Sequence, residues 1–183
     1  MDDALYLFNT GQNFMAYKYL GSHKTERDGV SGFRFAVWAP RAKYVAVSGD
    51  FNDWDTASNP LSMSGTTGVW EGFVPEAADG QCYKYYIEGQ DGQGRFKTDP
   101  YARKTELRPN DASILLDDID FPWSDQAYLE KRLKTDFNAA PINIYEMHLS
   151  SWRTKEDGSY YSYKELAHLV GDYIKEKIGR AHV

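Results

Sequence analysis

Between Gly32 and Pro40 the chain reads GFRFAVWAP, which sets Phe33, Phe35 and Val37 on one face and Arg34 and Trp38 on the other. That period of two is the pattern of a half-buried strand, and Pro40 ends it because proline has no amide hydrogen for the ladder. Three β-branched and aromatic runs follow, Tyr44–Gly49, Val69–Val74 and Tyr83–Glu88, with shorter candidates at Phe96–Thr98 and Ser113–Leu116. Turn-forming Gly, Pro, Asn and Asp separate them. Five or six short strands with no helical period among them predict a mainly β fold, an immunoglobulin-like antiparallel β-sandwich over about residues 29–118.

Two stretches break this pattern. Residues 1–28 form a lead-in in which Leu7, Phe8, Phe14, Tyr17 and Leu20, interrupted by Gly11, read as short helical or irregular structure packed on something else. Residues 119–140 read as a linker, with Ser124 placed to cap a short helix. Beyond it the period changes. Pro141 precedes Ile142–Leu149, a strong strand candidate, and a Gly-containing loop leads to Ser162. Ser162 and Glu165 have capping-box spacing, and Leu166, Leu169, Val170, Tyr173 and Ile174 mark one buried helix face. Residues 141–177 therefore read as β then α, and a parallel strand for this helix to pack against does not follow, so the second domain is expected to be truncated. Residues 178–183 (IGRAHV) neither extend the stripe nor make a convincing cap. They resemble the translation of a sequencing-adapter tail and are expected to be non-native.

Composition narrows the function classes. In 183 residues, 42% apolar and 26% charged positions are the proportions of a globular chain, which excludes a disordered tail, a collagen-like repeat and a coiled coil. Lys plus Arg number 21 against 27 Asp plus Glu, a balance of −6 that argues against nucleic-acid and membrane surfaces and for neutral or small partners. With no apolar run of about 20 residues and an acidic Met1-Asp2-Asp3 start, a cytoplasmic location is expected. Cys82 is the single cysteine and reads as a small core residue. Aromatic residues are 15% of the chain although mean hydropathy is −0.64, so large rings carry the apolar burden. Such a surplus suits sheets and sugar-binding faces, with most rings in the core.

Candidate chemistry is sparse. Asp50, Asp53 and Asp55, and the run Asp117-Asp118-Ile119-Asp120, read as solvated loops rather than acid pairs or cation sites. Glu146 and His148 would share a face of the expected strand and are candidates for shaping the mouth of a site. His23 and His168 lack partners at metal-ligand spacing. Neither a metal nor a cofactor is expected.

Longer motifs carry a resemblance. Leu7-Phe8 with Gly11, Tyr17 and Leu20-Gly21-Ser22-His23 come first, then Phe35-Ala36-Val37-Trp38-Ala39-Pro40, Gly49-Asp50-Phe51-Asn52-Asp53-Trp54 and Tyr83-Lys84-Tyr85. Lys97-Thr98-Asp99-Pro100-Tyr101-Ala102, Arg108-Pro109 with Ala112-Ser113, and Ile144-Tyr145-Glu146-Met147-His148-Leu149 with Ser151-Trp152-Arg153 complete the series. Together, from Leu5 to Lys177, they resemble the amino-terminal part of bacterial 1,4-α-glucan (glycogen) branching enzymes rather than isoamylase or trehalohydrolase relatives.

The resemblance implies a glycogen-binding-type sandwich followed by the opening of a TIM-type (β/α)₈ barrel. It implies a retaining glycosyl transfer that moves an α-1,4-glucan segment to a 6-hydroxyl, using two carboxylates about 5 Å apart. Those carboxylates belong to later barrel strands, and a whole barrel needs about 250 residues, so no catalytic residue is assigned and the piece is expected to be inactive alone. Its partners would be α-glucan and its own missing barrel. For the sandwich the resemblance points to Trp54, Lys84 and Phe96 as glucan-binding residues. Phe96 stands where binding-competent relatives carry a second stacking Trp, and their following Asn has no clear match between Asp111 and Ile114. Trp38, Trp70 and Trp123 are read as packing residues of the core or of the face toward the barrel. The competing readings are a sandwich that only packs against the barrel, the front end of an isoamylase or trehalohydrolase relative, and a free-standing glucan-binding scaffold, against which the βα end argues.

Overall fold

The computed structural model describes residues 3–75, 77–117, 122–140 and 143–178. The chain divides into two compact units, residues 1–121 and 122–183.

Among the described residues of the first unit nine strands form two antiparallel sheets. They are β1 (Gly21–Arg27), β2 (Val30–Trp38), β3 (Tyr44–Gly49), β4 (Ser62–Met63), β5 (Val69–Pro75), β6 (Cys82–Glu88), β7 (Gly94–Lys97), β8 (Lys104–Thr105) and β9 (Ser113–Ile114). One sheet has the order β1-β2-β5-β4 and the other β3-β6-β9-β8, with β7 also paired to β6. One edge of β6 is shared: β9 takes Cys82 and Tyr83, and β7 takes Tyr85 to Glu88. The expected sandwich is present.

Its start lies earlier than the pattern indicated, because β1 pairs along its whole length with β2 from Gly21↔Ala36 to Arg27↔Val30. The two strands turn at Asp28 and Gly29, both at positive φ (54° and 79°), the conformation that two-residue hairpin loops require. Residues 21–27 escaped the period-two reading because His23, Lys24, Glu26 and Arg27 are polar on an edge strand with little apolar alternation. The two-residue strands β4 and β8 are too short to leave a pattern.

Phe33, Phe35 and Val37 of β2 meet Val45 and Val47 of β3 and Tyr83 and Tyr85 of β6 between the sheets, with Val74 and Leu115 beside them. Phe35 packs edge-on against Tyr83 at 5.2 Å. Each large side chain so buried contributes roughly 1.5–3 kcal/mol. Ala36 points to the other side of β2 and is also buried, under Leu5, Ala16 and Leu20. The lead-in therefore folds as α1 (Asp3–Asn9) and a single 3₁₀ turn (Ala16–Lys18) on the sandwich's own outer face. Trp70 is buried and its indole Nε1 donates to Ala39 O at 3.0 Å, whereas Trp38 and Trp123 are exposed and lie outside the core.

The second unit holds α2 (Gln126–Lys134), α3 (Leu149–Trp152) and α4 (Tyr163–Tyr173), which runs on into a π-helical turn (Ile174–Ile178). The residue ahead of α2 is Asp125, one beyond the expected Ser124. The α4 capping box is formed as the spacing required: Ser162 Oγ accepts from Glu165 N and the Glu165 carboxylate accepts from Ser162 N. Leu166 is buried and Leu169, Val170, Tyr173 and Ile174 are half-buried.

Of the expected strand over 142–149, the described residues 143–148 are not in a strand and Leu149 opens α3. Pro141 and Ile142 lie outside the described residues, and 143–148 pair with no other segment. A strand gains its hydrogen bonds only from neighbours, so an apolar run alone does not make one. Tyr145 is held through its side chain instead, packing at 5.7 Å on Tyr173 and accepting from Trp152 Nε1 at 3.0 Å, while the Arg153 guanidinium lies 4.5 Å over the Trp152 ring. Of the suspected tail only Ile178 is described; residues 179–183 lie outside, as do Asp118–Asp120 of the acidic run. No helix among the described residues is long and apolar enough to cross a membrane.

Candidate functional site

Alternation along β6 sends Tyr83 and Tyr85 into the core and leaves Lys84 and Tyr86 on the outer face of the second sheet. Tyr86 pairs with Phe96 across to β7 and with Ala46 across to β3. Tyr44, at the start of β3, packs edge-on against Tyr86 at 6.4 Å. Tyr86 packs against Phe96 at 5.5 Å, and Phe96 against Trp54 at 6.4 Å with the rings inclined at 73°. Four rings thus run edge-to-face across three strands. Trp54 and Phe96 are the solvent-facing end of the row, at 37% and 46% exposure.

Trp54 is placed by the turn after β3. A 3₁₀ turn (Asp50–Asn52) is followed by Asp53 and Trp54 at φ 52° and 60°, a left-handed pair that costs non-glycine residues roughly 1–2 kcal/mol each. The side chain of Asn52 compensates by accepting from Gly49 N at 2.9 Å and donating to Val47 O, Asp55 O and Asn59 Oδ1. Asp50 ties the turn to β6, taking Trp54 Nε1 at 3.0 Å on Oδ1 and Cys82 N at 2.6 Å on Oδ2. With its N–H engaged, Trp54 offers a ligand its ring face. The Ser58 hydroxyl and the Ala57 amide hold the Asp55 carboxyl below its usual range. Asp50 and Asp55 therefore build the turn, and the solvated-loop reading describes Asp53 alone.

Lys84 lies one pleat repeat from Tyr86, about 7 Å along the strand. Its ammonium is paired with Asp111, whose own side chain is 73% exposed. Thr98 Oγ1 donates to the Asp111 backbone carbonyl at 2.6 Å and anchors that loop beside β7. Tyr44 was legible in the alternation with Val45 and Val47, but Asp111, 27 residues from Lys84, left no local signal.

The remaining sequence candidates are dispersed. With 143–148 unpaired, Glu146 and His148 do not share a strand face; His148 precedes α3, its Nδ1 lies 2.9 and 3.0 Å from the Ser150 and Ser151 hydroxyls, and Glu146 is exposed. His23 Nε2 meets Leu20 O at 3.0 Å and its Nδ1 meets Arg103 Nη2 at 3.2 Å. Burial, then the Asp50 carboxylate, raises the Cys82 thiol above its ordinary value. Among the described residues no group of three or more His, Cys, Asp or Glu could hold a metal ion. The row of rings with Lys84 and Asp111 has the parts of a carbohydrate surface: flat apolar faces, one cation and one exposed carboxylate.

Residues 19–102 match carbohydrate-binding module 48, the isoamylase N-terminal domain. That span contains Trp54, Lys84, Tyr86 and Phe96. All 183 residues align at 45% identity with 1,4-alpha-glucan branching enzyme GlgB 1 of Clostridium perfringens strain 13, covering 27% of that protein. Along its whole length the chain is similar to a protein named as a branching enzyme. GlgB of Nitrosomonas eutropha is 46% identical over 180 residues, 98% of this chain and 24% of the relative, and GlgB of Lactiplantibacillus plantarum 45% over all 183 residues, 28% of the relative. The chain spans about a quarter of the length of these curated relatives. The module match and the branching-enzyme relatives together support the amino-terminal part of a 1,4-α-glucan branching enzyme, as the motifs implied.

Proposed function

We propose that this chain is the front of a cytoplasmic enzyme that transfers an α-1,4-glucan segment to a 6-hydroxyl with retention, and that the outer face of its second sheet binds the glucan. The observation that carries the binding reading is the exposed ring pair of Trp54, on its hydrogen-bonded turn, and Phe96 of β7. Glucose rings present apolar C–H faces to such rings, and their hydroxyls would meet the Lys84 ammonium as donor and the Asp111 carboxylate as acceptor. The catalytic carboxylates would lie in the portion of the enzyme this chain does not span.

The test is electrophoresis of the 183-residue chain in a native gel containing glycogen. Retardation that Trp54→Ala abolishes supports the site. Equal mobility with and without glycogen leaves the second reading, in which the sandwich packs against the rest of the enzyme. Exposed Phe14 and Tyr17 in the lead-in and Trp38 on β2 favour that role.

The domain division proposed from sequence assigns residues 141–177 to the first βα unit of the barrel, with Glu146 and His148 near its mouth. In this reading residues 142–149 become a strand when barrel neighbours flank them. Amide exchange at 143–148 that is slow in the whole enzyme and fast in the 183-residue chain would support it; equal rates would oppose it.

A further inference from the structure

Gly94 occupies the first position of β7, and its backbone does not need glycine, since it is not among the residues at positive φ. Glycine inside a strand otherwise weakens it and marks the close approach of another group. Here that group is the Tyr86 phenol: a Cβ on Gly94 would overlap Oη and Cζ of Tyr86. The ring of Tyr86 therefore lies across β7 in the space a side chain would fill. Phe96 is on the same face of β7, two residues on, and is the cross-strand partner of Tyr86. Tyr86 is half-buried between Tyr44 and Phe96, edge-on to both, and Phe96 alone of its two neighbours continues the row to Trp54.

The geometry points to Tyr86, seated by Gly94, as the positioning residue that sets the plane of Phe96, against which the separately held Trp54 packs, for the glucan. This rests on the glucan reading of the face. Lys84 reaches the same face by a separate ion pair with Asp111, so the ring row and the charged pair are set independently.

The experiment measures maltoheptaose binding to the 183-residue chain by calorimetry, with thermal melting of each variant. Tyr86→Ala and Gly94→Ala are each expected to weaken binding about tenfold at temperatures where the melts show the variant folded, one by removing the ring and the other by displacing it. Tyr86→Phe keeps the ring and is expected to bind as the unmodified chain does, a rescue that loss of a structural hydroxyl would not show. The double variant Tyr86→Ala/Gly94→Ala is expected to bind no more weakly than Tyr86→Ala, because both changes act through one ring. Should Tyr86→Ala fail to fold, Tyr86→Leu keeps the apolar bulk without the flat edge and is expected to show the same loss. Binding of Tyr86→Ala, or of Tyr86→Leu in its place, and of Gly94→Ala at unmodified strength, while Trp54→Ala abolishes it, overturns the positioning role and leaves the site standing. No binding by the unmodified chain, or undiminished binding by Trp54→Ala, overturns the glucan reading and this inference with it.

Discussion

Tyr83 Oη donates a 2.6 Å hydrogen bond to Asp99 Oδ2 inside the sandwich, where the phenol ring is fully buried and Asp99 is 3% exposed. Tyr85 Oη stands 3.4 Å from the same oxygen, Tyr101 N donates to Oδ1 at 2.8 Å, and Asp99 N donates to Ser113 Oγ at 2.9 Å. Asp99 thus fastens the segment after β7 to β6 through its carboxyl and to β9 through its backbone amide.

Burial is the largest influence on the Asp99 carboxyl and raises it, against the lowering effect of the Tyr83 hydrogen bond. The folded state therefore holds this proton more tightly than the unfolded chain, whose value is near 3.8. The stability that follows is full below that value and is lost as pH rises through the folded pKa. Urea melts are expected to show Asp99→Asn retaining stability that the unmodified chain loses as pH rises above about 4 and through the raised carboxyl pKa. Tyr83→Phe removes the closest donor and is expected to cost about 1–3 kcal/mol. Parallel pH profiles for Asp99→Asn and the unmodified chain would refute the assignment.

Glu165 responds in the opposite sense. The Lys155 ammonium, then the Ser162 amide and hydroxyl, lower its carboxyl from 4.5 to about 2. Its contribution is present above pH 4.5 and is lost as pH falls toward about 2. Ser162→Ala is expected to destabilise α4 by about 1 kcal/mol, read as faster exchange of the amides from 165 to 170. In Glu165→Gln the acid-induced part of that acceleration should be absent.

Phe96→Trp enlarges the exposed end of the ring row. Tighter maltoheptaose binding, by about threefold, is the expected calorimetric result. A weaker complex would mean that the larger ring does not fit between Tyr86 and Trp54.

Lys84→Met separates recognition from folding. The partner of Lys84 is the exposed carboxylate of Asp111, so the stability change should stay within about 1 kcal/mol. Glucan affinity should nevertheless fall by about fivefold, as a hydroxyl partner is lost. An unchanged affinity would place the glucan on the rings alone.

The two-sheet sandwich was legible because Phe33, Phe35 and Val37, and Tyr83 and Tyr85, alternate with residues that face outward. The capping box of Ser162 and Glu165 was legible for a similar reason, since its parts lie three residues apart. Strand β1 was not, because a charged edge strand is recognised by the partner it pairs with. The strand reading of Ile142–Leu149 shows the converse: its composition suits a strand, and the described part of it has no partner.

Local sequence alone sets which residues turn inward within each element, where α4 begins, and the motifs that carry the branching-enzyme resemblance. These are short-range properties of side-chain period and backbone capping. Long-range packing is what brings Trp54 to Phe96 from 42 positions away, pairs Asp111 with Lys84, and gives the space beside Gly94 to Tyr86. Such contacts depend on strand register and loop path, which are settled when two sheets close over one core and not by any window of neighbouring residues.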